Sequence, residues 1–559
     1  MYQQVFDPVG DSLGLSSIFA AIPIIVLFVL LGGLKMKAHL AALISLAAAI
    51  IVALVIYEMP VGQALNSAAE GAVFGIFPIM YIVFMALWIY NMTVETGHFA
   101  VLRRAFNRIS DDQRIQAVII AFCFGALLEA LAGFGTPVAI TAVMLIAVGF
   151  EPIKAAAVAL VANTAPVAFG AIAIPIVTLS EITGLPKDDL GAMVGRQTPI
   201  LALIVPLILV GMVDGGRGVR RAWPAAVVGG FTFAFAQFLC SNYVSVELTD
   251  IVAALASAGS IVLLLQIWTP SEPLRGEVQG GGARPAIAGA AVSDATHEAE
   301  VKRKEGNGHD STKEIAAAFA PYLIIIVVFA LAQLGPIKDF LGARTTEFAW
   351  PGLNVETPEG EAVSSATFKF NWADAAGTLL LISGLLTMLV LRFSPGRAVR
   401  TLIRTLDELK WATLTVASVL ALAYVMNLSG QTITLGQWIA GASGLLPFLS
   451  SIIGWLGVAV TGSDTSSNSL FGTLQVAAAE KAGYSPTLLA AANSSGGVLG
   501  KMISPQNLAI GAAAVGMGGR EGELFRKVFG WSILLVLIMC VIVYLQSTAI
   551  LDWMVVGEK

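Results

Sequence analysis

The feature that most constrains this chain is an apolar stretch, residues 125–175, that contains a carboxylate and two polar breaks. Glu129 lies within it, and the breaks read Gly-Phe-Gly-Thr-Pro at residues 133–137 and Asn-Thr-Ala-Pro at residues 163–166. Inside a bilayer, unwound backbone is tolerated only where protein or a water-filled cavity satisfies its polar groups. Short apolar segments broken by Gly and Pro therefore predict a ligand site in the middle of a membrane protein.

A related pattern recurs about 330 residues further along the chain. The matching positions are Asn163 with Asn493, Gly170 with Gly500, Pro175 with Pro505, and the Gly-x-x-Thr pattern at 133–136 with that at 462–465. Because these matches keep their order at a nearly constant offset, they predict an internal repeat. Repeats of this kind form the two halves of many secondary transporters.

Composition supports a membrane protein, since 57% of the residues are hydrophobic and only 12% are charged. Soluble domains average about 25% charged residues. The dispersed cysteines and histidines have no metal or disulfide spacing, and no basic face indicates a nucleic-acid partner. We therefore expect no metal ion and no cofactor. Runs long enough to cross ~30 Å of hydrocarbon are 16–34, 38–57, 72–90, 115–131, 198–213, 222–241, 248–268, 316–335, 373–391, 411–428, 444–460 and 529–549.

Loop charges predict the orientation, because Lys and Arg collect on the cytoplasmic side. Residues 94–114 carry four arginines, whereas their counterpart in the second repeat, residues 428–444, carries none. Conversely, residues 392–410 carry five basic side chains and their counterpart, residues 61–71, carries none. Matching loops thus lie on opposite sides, which indicates an inverted-topology repeat. Following the spans along the chain places both termini outside the cell.

These patterns predict an all-α polytopic membrane protein with inverted-topology repeats and broken or re-entrant helices. Whether each motif region crosses the membrane or returns as a hairpin stays open. The predicted divisions are a first inverted repeat at residues 1–221 with its motif region at 115–197, a two-span connector at 222–268, a polar cytoplasmic linker at 269–315, and a second inverted repeat at 316–559 with its motif region at 444–527.

Four motifs resemble those of the bacterial lactate permease family: GALLEALAGFGTPVAI from residue 125, NTAPVAFG from 163, GSDTSSN from 462 and NSSGGVLGKMISPQN from 493. The resemblance implies proton-coupled uptake of L-lactate, D-lactate or glycolate across the bacterial inner membrane. It also implies membership of the wider group of ion transporters with inverted repeats and an elevator mechanism. It leaves open which 2-hydroxy acid is preferred, and the oligomeric state is not readable from the sequence.

A site for a small 2-hydroxy acid needs donors for the carboxylate and polar groups for the hydroxyl. Helix N-termini supply free N–H groups and a positive dipole end, and each break is expected to open a new half-helix. Thr136 is expected to cap one of them, with Pro137 in its first turn. The candidate substrate-binding residues are Gly133, Gly135, Thr136, Asn163, Thr164, Thr465, Ser466, Asn493, Ser494, Ser495 and Lys501. Helix capping and interhelical hydrogen bonding are the alternative roles of the polar members of this set.

Three ionisable residues lie at membrane depth, where they cost roughly 2.5–3.5 kcal/mol on insertion scales and are usually functional. Glu129 precedes the first break, Asp464 lies inside the break at 462–468, and Lys501 follows Gly500. A buried carboxyl group suits a residue that takes and releases a proton near neutral pH. Asp464 or Glu129 is therefore expected to carry the coupled proton, with Asp464 preferred. Lys501 would attract the substrate carboxylate or neutralise Asp464, and a purely structural ion pair is the alternative.

Three other functions compete with that of a proton symporter. A sodium-coupled carboxylate symporter stays open, because Asn, Ser and Thr clusters with unwound carbonyls also suit Na⁺. An enzyme is not expected, because the chain lacks metalloprotease, nucleophile-elbow and phosphate-loop motifs. A passive channel is less favoured, because paired breaks in a repeat indicate alternating access. The expected partners are the lipid bilayer and the small-molecule substrate.

Overall fold

The computed structural model describes residues 1–34, 36–133, 135–270, 272–274, 310–332, 334–358, 360, 363, 366–518 and 520–557. Most of the predicted linker, residues 269–315, lies outside the described residues, and so does Phe134 in the first break. The divisions drawn from the sequence stay predictions.

The described residues form a helical bundle of the kind that crosses a membrane repeatedly, which confirms the predicted fold class. Ten of their helices are long and apolar enough to span: Leu13–Gly33, Ala38–Val55, Val61–Glu95, Gln113–Leu131, Lys187–Tyr243, Thr249–Ile267, Thr312–Ala332, Lys410–Ser429, Gln431–Thr461 and Glu521–Gln546. Further helices are His98–Asn107, Thr136–Ala147, Pro152–Ala162, Gly170–Thr183, Gly335–Gly342, Ala376–Val390, Pro395–Glu408, Asp464–Ala482, Pro486–Gly500 and Pro505–Ala514.

Short strands accompany the helices outside the bundle. Tyr2–Gln3 pairs in parallel with Val355–Glu356, and Thr346–Ala349 pairs antiparallel with Thr367–Phe370. Residues 336–372, between two apolar runs, therefore contain regular structure, with a helix at Gly335–Gly342 before the strands.

The longest helix, Lys187–Tyr243, contains two spans that run antiparallel. Its backbone leaves helical geometry at Asp214 and at Gly215, which has φ +59°. A Cβ on Gly195 would meet Ser241, and one on Gly230 would meet the carbonyl oxygen of Leu203 at 2.9 Å. Residues far apart in sequence are thus close in space, which confirms the separate spans predicted at 198–213 and 222–241.

Two boundary predictions were wrong. Residues 428–444 were interpreted as a loop, but they contain helix Gln431–Ile439. Residues 61–71 were also interpreted as a loop, but helix Val61–Phe74 includes them. The polar residues in this segment hid a buried face that contains Ser67, Glu70 and Gly71. A Cβ on Gly71 would lie 2.5 Å from the carbonyl oxygen of Leu420, so the absence of a side chain lets two helix backbones touch.

The first motif region begins with a helical hairpin, residues 113–147, here called the first hairpin. Its helices Gln113–Leu131 and Thr136–Ala147 meet at a tip around Gly133 and Gly135. Gly135 has φ +84°, a left-handed conformation that favours glycine. At the open end, the Gln113 side-chain amide donates to the Val148 carbonyl at 3.2 Å, so the chain returns to the level at which it started.

The second motif region begins in the same way, with a second hairpin at residues 446–482. Its tip lies at Gly462, with φ +77°, and at Ser463, whose hydroxyl accepts from the Ser466 N–H and so caps helix Asp464–Ala482. Cross-links hold its two arms together. Ser467 donates to the Gly454 carbonyl at 3.2 Å, and Gln475 donates to the Ser450 carbonyl at 3.1 Å.

Each hairpin is followed by a helix broken near its middle. The first broken helix, residues 152–183, bends by 65° between Pro152–Ala162 and Val167–Thr183. Next to the break, Ala171, Ile172 and Ala173 all have φ between 45° and 58°, a region that costs L-residues about 1–2 kcal/mol each. The second broken helix, residues 486–514, is interrupted at Lys501–Ile503. Each motif region thus contains one helical hairpin, which returns to the end from which it entered, and one broken helix.

The two hairpins enter the bundle from opposite ends. At one end, the Arg114 guanidinium beside the first hairpin's open end pairs with Asp214 at 3.2 Å, and Lys154 donates to the Val213 carbonyl at 2.9 Å. At the other end, Thr473 of the second hairpin donates to the carbonyl of Ile182, the far end of the first broken helix, at 3.4 Å. This opposition is the inverted arrangement predicted from loop charge.

A glycine substitution tests the packing of the second hairpin. A Cβ on Gly454 would lie 1.9 Å from the Asn493 carbonyl oxygen of the second broken helix. Overpacking of this kind typically destabilises by ~1–3 kcal/mol. We expect Gly454→Ala to lower the midpoint of thermal unfolding of the purified protein.

Gly530→Ala is the matched control, because Gly530 also lies inside a helix but has no atom within 4 Å of a Cβ position. Alanine should there raise helix propensity by roughly 1 kcal/mol. Equal midpoints for the two variants would contradict the close approach of the second hairpin and the second broken helix.

Candidate functional site

The two hairpin tips and the two helix breaks meet around one pocket. Its lining comes from both halves of the chain: Glu129, Gly133, Gly135, Val167, Gly170, Ala171, Ile174, Pro175, Gly462, Ser463, Asp464, Thr465, Lys501, Gln506 and Asn507. The cavity measures about 60 Å³, on a scale where one water needs ~10–15 Å³. It therefore suits a molecule of only a few heavy atoms.

A buried ion pair joins the halves at this pocket. Lys501 Nζ lies 2.6 Å from Glu129 Oε1, with 7% and 3% of the respective side chains exposed. The ammonium also donates to the carbonyl of Gly133 at 3.1 Å, at the tip of the first hairpin. One cation thus satisfies both a carboxylate and an unwound backbone carbonyl. The contact partner of Lys501 is thus Glu129 rather than Asp464.

Glu129 is held by a third group and by two glycines. Asn163 donates its side-chain amide to Glu129 Oε2 at 2.8 Å. A Cβ on Gly133 or on Gly170 would lie 2.8 Å from Glu129 Oε1. Both positions therefore need glycine so that the carboxylate can lie between the hairpin tip and the broken helix.

Asp464 is the second carboxylate of the pocket, at the first turn of helix Asp464–Ala482. It is buried, and its Oδ2 accepts from the Ser494 hydroxyl at 2.6 Å. Its Oδ1 is buried without a hydrogen-bond partner among the residues that the structure describes. A Cβ on Gly497 would lie 2.3 Å from that oxygen. Gly497 therefore makes room for Asp464.

Buried amides connect the second half to the first behind the pocket. Asn493 donates to Asn468 Oδ1 at 2.9 Å, and Asn468 donates to the carbonyl of Pro175 at 3.1 Å. Gln475 donates to Asn493 Oδ1 at 3.4 Å. These contacts position Pro175 in the wall of the pocket, so Asn493 supports the site from behind.

Helix N-termini converge on the pocket. Helices Thr136–Ala147, Asp464–Ala482 and Pro505–Ala514 all begin at residues that line it or are next to a lining residue in the sequence. Each start presents backbone N–H groups and the positive end of a helix dipole. Together with Lys501 they make this cavity suitable for a small anion.

The predicted candidates divide into two groups. Gly133, Gly135, Thr465 and Lys501 line the pocket, together with Glu129 and Asp464. The others lie outside the lining. Asn163 and Ser494 donate to the two carboxylates, and Asn493 donates to Asn468. Thr164 donates to the Val161 carbonyl, and the Ser466 N–H donates to the capping hydroxyl of Ser463.

Two candidates make no such contact. The buried hydroxyl of Ser495 has no partner in the described residues, and Thr136 begins a helix without capping it.

Sequence reasoning missed Ser463, Gln506 and Asn507 in the lining. A signal for the last two was present in Ser504-Pro505, a cap followed by a first-turn proline. The Ser504 hydroxyl indeed accepts from the Asn507 N–H at 3.3 Å. This cap ends the break of the second broken helix at Ser504, and the next two polar residues, Gln506 and Asn507, therefore lie at the pocket.

The chain is similar to known proteins along almost its whole length. A family model described as L-lactate permease matches residues 16–550. The chain is 40% identical to the glycolate permease GlcA of Escherichia coli K12 over 98% of each chain. It is 40% identical to the L-lactate permease of the same strain, over 99% of this chain and 100% of the relative. For the L-lactate permease of Bacillus subtilis 168 the identity is 39% at the same coverage.

A double-mutant cycle tests the ion pair. Removing one member of a buried pair leaves an uncompensated charge and typically destabilises by about 3–5 kcal/mol. We expect Lys501→Met and Glu129→Gln each to lower the thermal stability of the purified protein, and the double variant to recover part of the loss.

The same cycle on the exposed Arg520–Glu523 pair, whose atoms lie 2.7 Å apart, serves as the control and should change stability little. Additive losses for Lys501 and Glu129 would show that the two side chains do not interact energetically.

Proposed function

The chain belongs to the L-lactate permease family, and we propose that it is a secondary active transporter for small 2-hydroxy monocarboxylates, namely L-lactate, D-lactate and glycolate, coupled to protons. The observation that carries the proposal is the pocket at which Lys501 and three helix starts converge. Relatives bearing the names glycolate permease and L-lactate permease support the substrate class.

The substrate carboxylate competes with Glu129 for Lys501. An incoming anion finds the ammonium already 2.6 Å from Glu129 Oε1, so binding exchanges one carboxylate partner for another and leaves Glu129 without its cation. The tips of both hairpins border the same space. Both halves can then contact one small acid, and the apolar wall at Val167 and Ile174 accepts its methyl group or hydrogen. A methyl group changes affinity by only ~1–3 kcal/mol in an apolar pocket, which fits a shared site for lactate and glycolate.

Asp464 is the preferred carrier of the coupled proton, and Glu129 is the second candidate. Asp464 lines the pocket, and its Oδ1 is without a hydrogen-bond partner in the described part of the chain. Among the described residues, no cation is in contact with an ionised Asp464, because Lys501 contacts Glu129. A proton on Asp464 would remove the unpaired negative charge of its carboxylate at the time when the substrate adds a negative charge to the pocket. The proton and the substrate anion therefore cross more readily together than alone.

Sodium coupling remains the second candidate. The unpartnered Oδ1 of Asp464 and the carbonyl of Gly462, which accepts from Asn507 at 3.4 Å, are oxygen ligands of the kind a small cation takes. Replacing Na⁺ by choline at fixed pH should leave lactate uptake unchanged under the proton proposal. A loss of uptake would favour the sodium symporter.

Charge supports the orientation. The end of the bundle that holds Arg114 also holds the pairs Arg104–Asp310, Arg221–Glu272 and Arg404–Glu95. Because basic residues collect inside, we propose that this end faces the cytoplasm of a bacterial cell. Tyr2, which donates to the Ser429 carbonyl, and Met554, which accepts from Arg196, would then place both termini outside. The elevator mechanism stays a prediction from the family resemblance.

Uptake of radiolabelled L-lactate into proteoliposomes tests the proposal. We expect an inward proton gradient to drive lactate accumulation above the external concentration. An imposed voltage alone should drive less accumulation if each lactate anion crosses with one proton, because no net charge then moves. Equilibration without accumulation under every gradient would contradict active transport and favour a channel.

Substitution of the pocket carboxylates tests the coupling. We expect Asp464→Asn to abolish lactate-dependent proton uptake, because its amide cannot take up and release a proton. Glu480→Gln is the matched control, since Glu480 is exposed on the same helix. If Asp464→Asn and Glu129→Gln both keep full coupling, the proton is carried elsewhere.

A further inference from the structure

A third buried carboxyl group lies behind the pocket, outside its lining. Asp250 is in the first turn of helix Thr249–Ile267 and is fully buried. Its Oδ1 accepts from the side-chain amide of Gln237 at 3.4 Å. Its Oδ2 is buried and has no hydrogen-bond partner in the part of the chain that the structure describes.

Asp250 lies at the level of Glu129. On the same helix, the Ser257 hydroxyl lies 3.2 Å from the thiol of Cys123 in the first hairpin. The two helices run in opposite directions, so going back from Ser257 to Asp250 covers about 10 Å at 1.5 Å per residue. Going forward from Cys123 to Glu129 covers about the same distance. The charges of Glu129 and Lys501 act on Asp250 from the neighbouring elements.

A buried amide links Asp250 to the first broken helix. Gln237 donates both to Asp250 and, at 3.3 Å, to the carbonyl of Ala165, and it accepts from the Thr198 hydroxyl at 3.4 Å. Ala165 lies in the break two residues after Asn163, which binds Glu129. Hydrogen bonds therefore connect the surroundings of Asp250 to the unwound backbone beside the pocket.

On its other side, Asp250 faces the end of the bundle opposite the basic one. Glu247, one turn earlier, pairs with Lys187 and accepts from Ser245 at 2.7 Å. The titratable or charged groups around Asp250 are thus Glu129, Lys501, Glu247 and Cys240. Lys501 and Lys187 each pair with another carboxylate, and Arg196 donates to the Asn242 side chain and to the Met554 carbonyl. Among the described residues, no cation is therefore in contact with an ionised Asp250.

We propose that Asp250 is a second proton-binding residue of the transport cycle, loaded from the side of Glu247 and controlled by the Glu129–Lys501 pair. The inference rests on the proposed function. When the substrate carboxylate takes Lys501, Glu129 becomes an uncompensated negative charge beside Asp250. A proton then binds the Asp250 carboxylate and forms its neutral acid. When the substrate leaves, Lys501 returns to Glu129 and the proton is released.

The test compares Asp250→Asn with Glu70→Gln in proteoliposomes, using radiolabelled L-lactate. Asparagine imitates the protonated acid but cannot release a proton. We expect Asp250→Asn to keep lactate counterflow, in which external label exchanges for internal lactate without net proton movement, and to show reduced accumulation driven by a pH gradient. Retained counterflow also shows that the variant is folded.

Glu70 is the matched control because it is equally buried, both of its carboxylate oxygens have no partner among the described residues, and it is not part of the pocket lining. Glu70→Gln should keep both counterflow and accumulation. Normal accumulation in Asp250→Asn would overturn the inference, and so would equal losses in the two variants. Absence of lactate counterflow in the unsubstituted protein would instead overturn the proposed function and the inference with it.

A second variant covers the case in which Asp250→Asn does not fold. Gln237→Met removes a donor that favours the carboxylate form of Asp250, so a proton should bind at lower proton concentration. We expect the pH of half-maximal lactate uptake to shift in the alkaline direction. An unchanged pH profile with intact uptake would contradict a titrating role for Asp250.

Discussion

An ionised side chain at membrane depth needs a partner, and the contact between Glu129 and Lys501 meets this need for both residues at 2.6 Å. The contact also determines the local backbone. Lys501 satisfies the carbonyl of Gly133 at the hairpin tip, and the carboxylate fits only because Gly133 and Gly170 lack side chains. The first hairpin, which carries Glu129, and the second broken helix, which carries Lys501, are thereby held together at one pocket.

The proposed coupling follows from a shortage of cations around this contact. Asp464 and Asp250 are buried carboxyl groups, each with one oxygen that lacks a hydrogen-bond partner among the described residues, while Lys501 is already paired with Glu129. A negatively charged substrate adds to the excess of buried negative charge, and protonation of a carboxylate neutralises it. In this account the site does not attract a proton and an acid separately, because each makes the binding of the other more favourable.

Much of this arrangement was predictable from residue order. The breaks at Gly133 and Gly462, the repeat offset and the loop charges predicted opposed halves with interrupted helices, and Glu129, Asp464 and Lys501 were identified by charge at membrane depth. The sequence could not predict which side chains contact each other, since Lys501 is close in sequence to Asn493 yet contacts Glu129 in the other half of the chain. The sequence also contained no signal for Asp250, because a single acidic residue near the start of an apolar run resembles a helix cap. Only the packing of the helices shows that Asp250 is close to Glu129.

The central claim is that Lys501 exchanges Glu129 for the carboxylate of the substrate. Solid-state NMR can measure the dipolar coupling between the 13C-labelled carboxyl carbon of L-lactate and the 15N-labelled Nζ of Lys501 in reconstituted protein, with Lys501→Arg used to assign the signal. The account predicts a carbon–nitrogen distance of roughly 3–4 Å, as expected for a charge-assisted hydrogen bond of about 2.7–2.9 Å. Bound lactate with no measurable coupling to Lys501 would contradict it.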